Sequence, residues 1–203
     1  MKKATIVMWR HGATAWNDEH RFQGCNADVP LSDEGLAQAI RVAPSVLAWH
    51  PSVIVCSPLI RARQTAAPVE RLLGRTSQVD DRLKEINVGE WVGLTAVEAE
   101  KLDPKYAAAY RSGLDYRHGV TGETAVELGT RVGAALREAA RGGSVVLVVS
   151  HGWALQMGTA NLLGWDFAQS RVLRVMANCA ISVLTRTSGS WRIDQWNSFR
   201  QGD

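Results

Sequence analysis

The chain has only three cysteines, Cys25, Cys56 and Cys179, odd in number and without C-x-x-C spacing. That argues against a disulfide framework and a structural zinc site. Cys56, inside Val53-Ile54-Val55-Cys56, reads as a small buried hydrophobe. No apolar run is long enough to cross a bilayer, and none of signal-peptide length follows Lys2 and Lys3. The expectation is a cytoplasmic protein without a membrane partner. Basic tracts, zinc-finger spacings and glycine-rich nucleotide loops are missing as well. With 23 Lys and Arg against 20 Asp and Glu, a net charge of +3 and an isoelectric point of about 8.9, the positive surplus is too small to point to nucleic acid. No repeat or low-complexity tract interrupts the chain. What is present is a globular composition: 203 residues, 46% hydrophobic and 21% charged. That suits a single domain over 1–203 carrying a lid. Eight tryptophans are many for this length; most are expected in core or rim packing.

Residues 4 to 9 read as a buried strand. Ser32 is the expected N-cap of a helix with Asp33 and Glu34 in its first turn. Its apolar face would be Leu36, Ala39, Ile40, Ala43 and Leu47. Pro44 is expected to kink it or split off its last turn, and Pro51 to end it. Val53 to Cys56 form a second strand. Ser57-Pro58-Leu59 turns this into another helix, interrupted at Pro68 and closed at Gly74, with Arg61 and Thr65 on one face. Asp81 to Gly93 reads as an ordered loop around Trp91. Thr95 to Glu98 and Thr124 to Glu127 are capping boxes, and the second opens a helix ending near Gly142-Gly143. Between them, Asp103-Pro104 marks a bend. The aromatics of 104–123 (Tyr106, Tyr110, Tyr116 and His118) fit no core period, so 95–123 is the expected lid or specificity segment. Val145 to Val149 is a third strand buried on both faces. Trp153 to Leu163 follows as a helix stopped by Gly164. The tail from Val172 to Trp196 reads as short strands, with Thr187-Ser188-Gly189-Ser190 as a hairpin turn. Strands alternating with capped helices predict an α/β fold, a mostly parallel sheet covered on both faces.

Two of these strands end in a histidine followed by glycine, His11-Gly12 and His151-Gly152. In α/β sheets ligands bind beyond the carboxyl ends of strands, so one site built from distant segments is implied. Imidazole is a capable nucleophile towards phosphorus at neutral pH. The attack needs the non-bridging oxygens held and their charge offset. Arg10 adjoins His11, and Arg61 lies just past the second strand; guanidinium matches phosphate oxygens with paired donors. His151 can add a contact and Asn17 an amide donor. The departing alkoxide needs a proton. Glu85 is the candidate acid, and the same carboxylate could then activate the hydrolytic water. Glu90 is the competing candidate. Histidine and carboxylate are also metal ligands, but a pocket rich in arginine repels a second cation. Taken singly, each residue has a plain structural reading; their joint occurrence carries the argument. His118 alone reads as structural or surface.

Arg10-His11-Gly12-Ala13-Thr14-Ala15-Trp16-Asn17, Gln23-Gly24, Asp28-Val29-Pro30-Leu31-Ser32, Ser57-Pro58-Leu59 with Arg61-Ala62 and Gln64-Thr65-Ala66, Glu85 with Gly89 and Trp91, Gly122-Glu123-Thr124, His151-Gly152 and Asn178-Cys179-Ala180-Ile181 together resemble the histidine phosphatase superfamily. It is also called phosphoglycerate-mutase-like, and the resemblance runs over nearly the whole chain. The resemblance implies a three-layer fold with the site above the carboxyl edge of the sheet. It implies His11 as the phosphorylated nucleophile. Arg10, Arg61 and His151 would surround the phosphoryl group with Asn17 assisting. Glu85 would be the proton donor, and Gln23 with Gly24 would lie beside the pocket. No cofactor or metal is implied. The partner is a small phosphorylated molecule, and a homodimer is allowed.

The family divides mainly into phosphatases and bisphosphoglycerate-dependent mutases. The mutases carry an arginine-rich Glu-Arg-His-Tyr-type element after the acid loop. Here Glu90-Trp91-Val92-Gly93-Leu94 stands instead, which favours hydrolysis. Trp153 follows His151-Gly152 where relatives often have a smaller residue. It either narrows the pocket, stacking on an apolar or sugar face, or packs the start of its helix. Trp191 to Asn197 is similar to members acting on sugar-linked phosphoglycerate, so a phosphosugar is one substrate expectation. A non-catalytic phospholigand-binding module is the alternative outside enzymes.

Overall fold

In the computed structural model, which describes residues 3–142 and 144–199, six strands form one sheet. In chain order the elements are β1 (Ala4–Arg10), α1 (Ala15–Asp18), α2 (Asp33–Leu47), β2 (Val53–Cys56), α3 (Ile60–Leu73), β3 (Gln78–Val79), α4 (Ala96–Leu102), α5 (Pro104–Arg111), α6 (Ala125–Ala139), β4 (Val145–Ser150), α7 (Gly152–Leu163), α8 (Phe167–Ser170), β5 (Ile181–Thr187) and β6 (Ser190–Ser198). The strand order is β3-β2-β4-β1-β5-β6. The pairs β3–β2, β2–β4 and β4–β1 are parallel. The pairs β1–β5 and β5–β6 are antiparallel. The two-residue strand β3, exposed at one edge, was too short to leave a pattern in the sequence.

The alternation of β1 sorts its side chains to two faces. Ile6 and Met8 pack with Val146, Val148, Leu128, Leu136 and Leu155 beneath α6 and α7. Val7 and Trp9 pack with Leu147, Val149, Ile54, Ala43 and Val69 beneath α2 and α3. A sheet covered on both faces needs nearly continuous apolar strands, which is what β1 and β4 supply. Of the eight tryptophans, Trp9 and Trp91 are buried and the other six are partly exposed.

Local chemistry sets the helix ends. Ser32, Thr95, Thr124 and Asp103 cap as their residue types require. Gly74 and Gly164 close α3 and α7 in the left-handed conformation. Two expectations are corrected. Neither Pro44 nor Pro68 breaks its helix. The buried stripe of α2 is Gly35, Ala39, Ala43 and Val46, whereas Leu36 and Ile40 are 39% and 59% exposed. The helix lies too close to the loop after β1 to hide large side chains there: a Cβ on Gly35 would sit 2.0 Å from the carbonyl oxygen of Ala13. The chain turns out of α6 at Ala140; Gly143, expected near that end, lies outside the described residues.

Segment 95–123 folds as α4 and α5 followed by an irregular stretch. Its aromatics do pack: Tyr106 lies edge-on to Trp91 at 4.6 Å, and Tyr110 stacks on Trp153 at 6.4 Å between ring centres. They follow no helical period because they converge from several elements.

Candidate active site

β1 and β4 are central neighbours, with Arg10 in register with Ser150. The next residue of each strand is therefore a histidine at the same edge of the sheet, and the two rings stand 5.2 Å apart. His11 is anchored by its backbone N–H, which donates to Ser150 O at 3.0 Å, and by its carbonyl, which accepts from Cys179 N at 3.1 Å. Its Nδ1 is 2.7 Å from Gly12 O. A carbonyl only accepts, so Nδ1 carries the proton and Nε2 keeps its lone pair. Burial, reinforced by the charges of Arg10 and Arg61, holds the His11 imidazole well below its usual pKa. The ring is neutral at neutral pH.

His151 caps α7 and is fully buried. Its Nε2 lies 2.8 Å from Ser57 Oγ, and that oxygen accepts from Leu59 N at 3.4 Å. With the serine hydroxyl donating to Nε2, the ring hydrogen sits on Nδ1, a buried atom with no partner among the described residues. Burial first, then the charge of Arg61, also lowers this ring's pKa strongly. In that tautomer His151 offers an N–H rather than a charge.

The cations come from different elements. Arg61, in the first turn of α3, is wholly buried and donates to Ala27 O at 3.0 Å and Gly24 O at 2.8 Å. Its Nε has no partner. Burial pulls its pKa down to about 10, with Glu85 and Asp28 working against that, so it remains cationic at neutral pH. Arg10 donates to Met176 O, and its Nε is likewise buried and unpartnered. Gly152 makes room for it: a Cβ there would lie 3.3 Å from the guanidinium carbon.

Asn17 is oriented by three donors on Oδ1: Thr14 N at 3.1 Å, Thr14 Oγ at 3.0 Å and Asn178 Nδ2 at 3.0 Å. Its amide N–H groups are left for the pocket, whose wall it joins. Gln23 donates from Nε2 to Thr14 Oγ at 2.8 Å. Gly24 sits on the wall too, and its carbonyl fixes Arg61.

The Glu85 carboxylate rests on the N-terminus of α7, accepting from Trp153 N at 3.2 Å and Ala154 N at 3.0 Å. This is where unpaired helix N–H groups favour an acid side chain. Glu90 is not in the pocket. It is exposed and binds the backbone at Val120 and Thr121, at 2.7 and 3.4 Å, so the competing candidate for the acid is discarded.

Arg10, His11, Asn17, Gln23, Gly24, Arg61 and Glu85 line one pocket, with Arg21, Phe22, Ile86, Val88, His118 and Trp153 completing its wall. His151 lies beneath it, ring against His11. Trp153 contributes to the pocket wall and stacks on Tyr110 of α5. His118, read from the sequence as structural or surface and as part of the 95–123 segment, is buried at 3% exposure and borders the pocket. One participant escaped the sequence. Arg131 of α6 donates to the carbonyls of Arg82, Lys84 and Glu85 at 2.7 to 2.8 Å and pairs with Glu123 at 2.7 Å. It holds the acid loop from behind. Nothing but the three-dimensional contact marks Arg131, one of several arginines on amphipathic helices.

The profile described as histidine phosphatase superfamily (branch 1) matches residues 6–198. The chain belongs to that superfamily. A glucosyl-3-phosphoglycerate phosphatase of Mycolicibacterium vanbaalenii is 33% identical over 222 residues, covering 99% of this chain and 97% of the relative. A protein of Yersinia pestis named "Probable phosphoglycerate mutase" is 32% identical over 200 residues, covering 98% and 92%. Among solved structures, the mycobacterial glucosyl-3-phosphoglycerate phosphatase in complex with VO3 superposes with a TM-score of 0.87 at 31% identity, covering 96% of this chain and 99% of that one. The Entamoeba histolytica phosphoserine phosphatase with 3-phosphoglyceric acid gives 0.85 at 26% identity, covering 97% and 98%. The histidine phosphatase fold accounts for the mixed six-stranded sheet and for the residues gathered at its carboxyl edge. Among the described residues, no group of three or more His, Cys, Asp or Glu is placed to hold a metal ion, and no helix is long and apolar enough to cross a membrane.

Proposed function

We propose that this histidine phosphatase hydrolyses phosphate monoesters of small metabolites through a phosphohistidine at His11. The observation that carries the reading is the pinned, neutral imidazole of His11. Its Nδ1–H is held by the Gly12 carbonyl, and its Nε2 lone pair is free beside two guanidinium groups. Nε2 attacks phosphorus, the P–Nε2 bond forms and the P–O bond to the alcohol breaks. Arg10, Arg61, the Asn17 amide and the His151 Nδ1–H take the charge of the non-bridging oxygens. Glu85, as the carboxylic acid, gives its proton to the leaving oxygen. As carboxylate it then takes a proton from water, which attacks the phosphohistidine; the P–Nε2 bond breaks, and inorganic phosphate leaves. The Gly12 carbonyl supports the ring while it is positively charged. Gln23 and Gly24 shape the pocket wall, and Trp153 with the rest of the 95–123 neighbourhood decides which alcohol is accepted. On this reading 1–203 is one domain, cytoplasmic, without nucleic-acid or membrane partners, and with a homodimer to be sought by sedimentation.

The test is phosphate release from a panel of monoesters in EDTA, with acid-labile, alkali-stable label on the protein as evidence of phosphohistidine. His11→Ala should lose both, by at least about a thousandfold in turnover. Full activity in that variant would reject the mechanism. The name of the Yersinia relative favours a second reading, a mutase. Isomerisation of 3-phosphoglycerate primed with bisphosphoglycerate, without net phosphate release, would establish it instead.

A further inference from the structure

Arg10, Arg61 and Asn17 line the pocket with donors, as a phosphoryl site must be lined. The aromatic part of its wall, His118 against Trp153, is different. His118 enters it from the stretch before α6 and is held rigidly. Its backbone N–H donates to Glu123 O at 3.0 Å, and its Nδ1 lies 3.1 Å from the same oxygen. A carbonyl can only accept, so Nδ1 carries the ring hydrogen and Nε2, on the opposite edge of the ring, is an acceptor. Among the described residues no group donates to it. Trp153 and Trp91 meet the ring edge-on, at 5.1 and 5.5 Å between centres, and Tyr106 does so at 5.3 Å. Those contacts fix its tilt and leave it bordering the cavity.

Arg21, another residue of the wall, is already matched by Glu19 at 2.7 Å and Glu98 at 3.7 Å. An unfilled acceptor beside aromatic rings selects a neutral hydroxyl donor on a compact carbon skeleton. A second anion would find no free counter-charge beside His118.

We propose that the aromatic part of the pocket wall is a hydroxyl-reading subsite, in which His118 Nε2 accepts from the alcohol portion of a polyol or sugar phosphate lying against Trp153. It rests on the monoesterase reading and makes His118 a specificity residue of that site.

Glycerol 1-phosphate and n-propyl phosphate share a carbon skeleton and differ in two hydroxyls, so their ratio isolates this contact. The kcat/KM ratio should favour glycerol 1-phosphate in the natural chain. It should fall about tenfold in His118→Phe, which keeps an aromatic ring and removes the acceptor, with the change in KM. His118→Gln, which returns an amide oxygen near the Nε2 position, should recover most of the preference. The same pair is titrated calorimetrically into His11→Ala carrying each substitution, so that binding is read without turnover. A ratio unmoved by His118→Phe, or equal losses on both esters, would overturn the subsite. Absence of hydrolysis with the binding preference intact would instead overturn the reaction and leave the subsite standing.

Discussion

One ring nitrogen of His11 is occupied so that the other can react. The same division of labour recurs at His151 and His118, each with one nitrogen committed to a protein group. All three rings are buried, and burial lowers the pKa of each below its ordinary 6.5. The consequence for stability has a definite sign. In the unfolded chain these imidazoles protonate as pH falls through about 6.5, whereas in the folded protein they stay neutral until lower pH. The unfolded state then binds more protons, so stability is retained above pH 6.5 and lost below it, by up to about 1.4 kcal/mol per pH unit for each ring. Urea midpoints at pH 7.5 and 5.5 should differ accordingly, and identical midpoints would contradict the buried neutral state. The nucleophile remains unprotonated through the same window, so kcat/KM should show no break at 6.5. At this scale the sequence was most legible where chemistry and strand end coincide, as at Arg10-His11 and His151. It put His118 in the 95–123 segment but not on the pocket wall, because that place depends on a loop folded around Glu90. It could not rank Glu85 over Glu90, because both are acids in one polar loop and only contact with the N-terminus of α7 separates them.

Elements were read well where a side chain caps its own backbone. The serine, threonine and aspartate caps are local interactions that need no tertiary partner. The same local view failed for α2, because its first turn presses Gly35 onto the backbone of Ala13 and so turns Ala39, Ala43 and Val46, rather than Leu36 and Ile40, towards the sheet. It failed again for the prolines, whose cost to a helix is overridden by packing on the sheet. The clamp between α6 and the acid loop is the element-level feature with the most functional weight. Arg131→Met keeps the apolar stem and removes three backbone acceptor contacts and the pair with Glu123. The expected cost is about 2–4 kcal/mol, since buried carbonyls and a half-buried carboxylate lose their donor. Loosening the Glu85 loop should lower kcat about tenfold on alkyl phosphates while hardly changing activity on p-nitrophenyl phosphate, whose leaving group needs no proton. Equal losses on both esters would show that Arg131 acts only on stability.

Across the whole molecule, the sheet order rather than any one segment assembles the site. β4 inserts between β1 and β2, so residues 11, 61, 85 and 151 converge although they span 140 positions of sequence. A parallel core was predictable from alternating strands and helices, and the antiparallel hairpin from its turn residues. Strand order was not, because it depends on which apolar faces meet. One ligand touching four separate elements should tie them together. Inorganic phosphate at about 100 times its Kd is expected to add about 2.7 kcal/mol, or roughly 5–10 °C in melting temperature for a chain of this size. Thermal scans with EDTA present should show this shift, and Arg61→Met should abolish it. A metal requirement for the shift would contradict the pocket's reliance on arginine.

The hold of Asn178 and Cys179 on the His11 carbonyl joins positions at least 167 apart in sequence, and the strand that flanks β1 follows just after them. Neither residue lines the pocket. A local opening or a proteolytic cut there would therefore unseat His11 while leaving the pocket wall in place, a remote point of failure for the site.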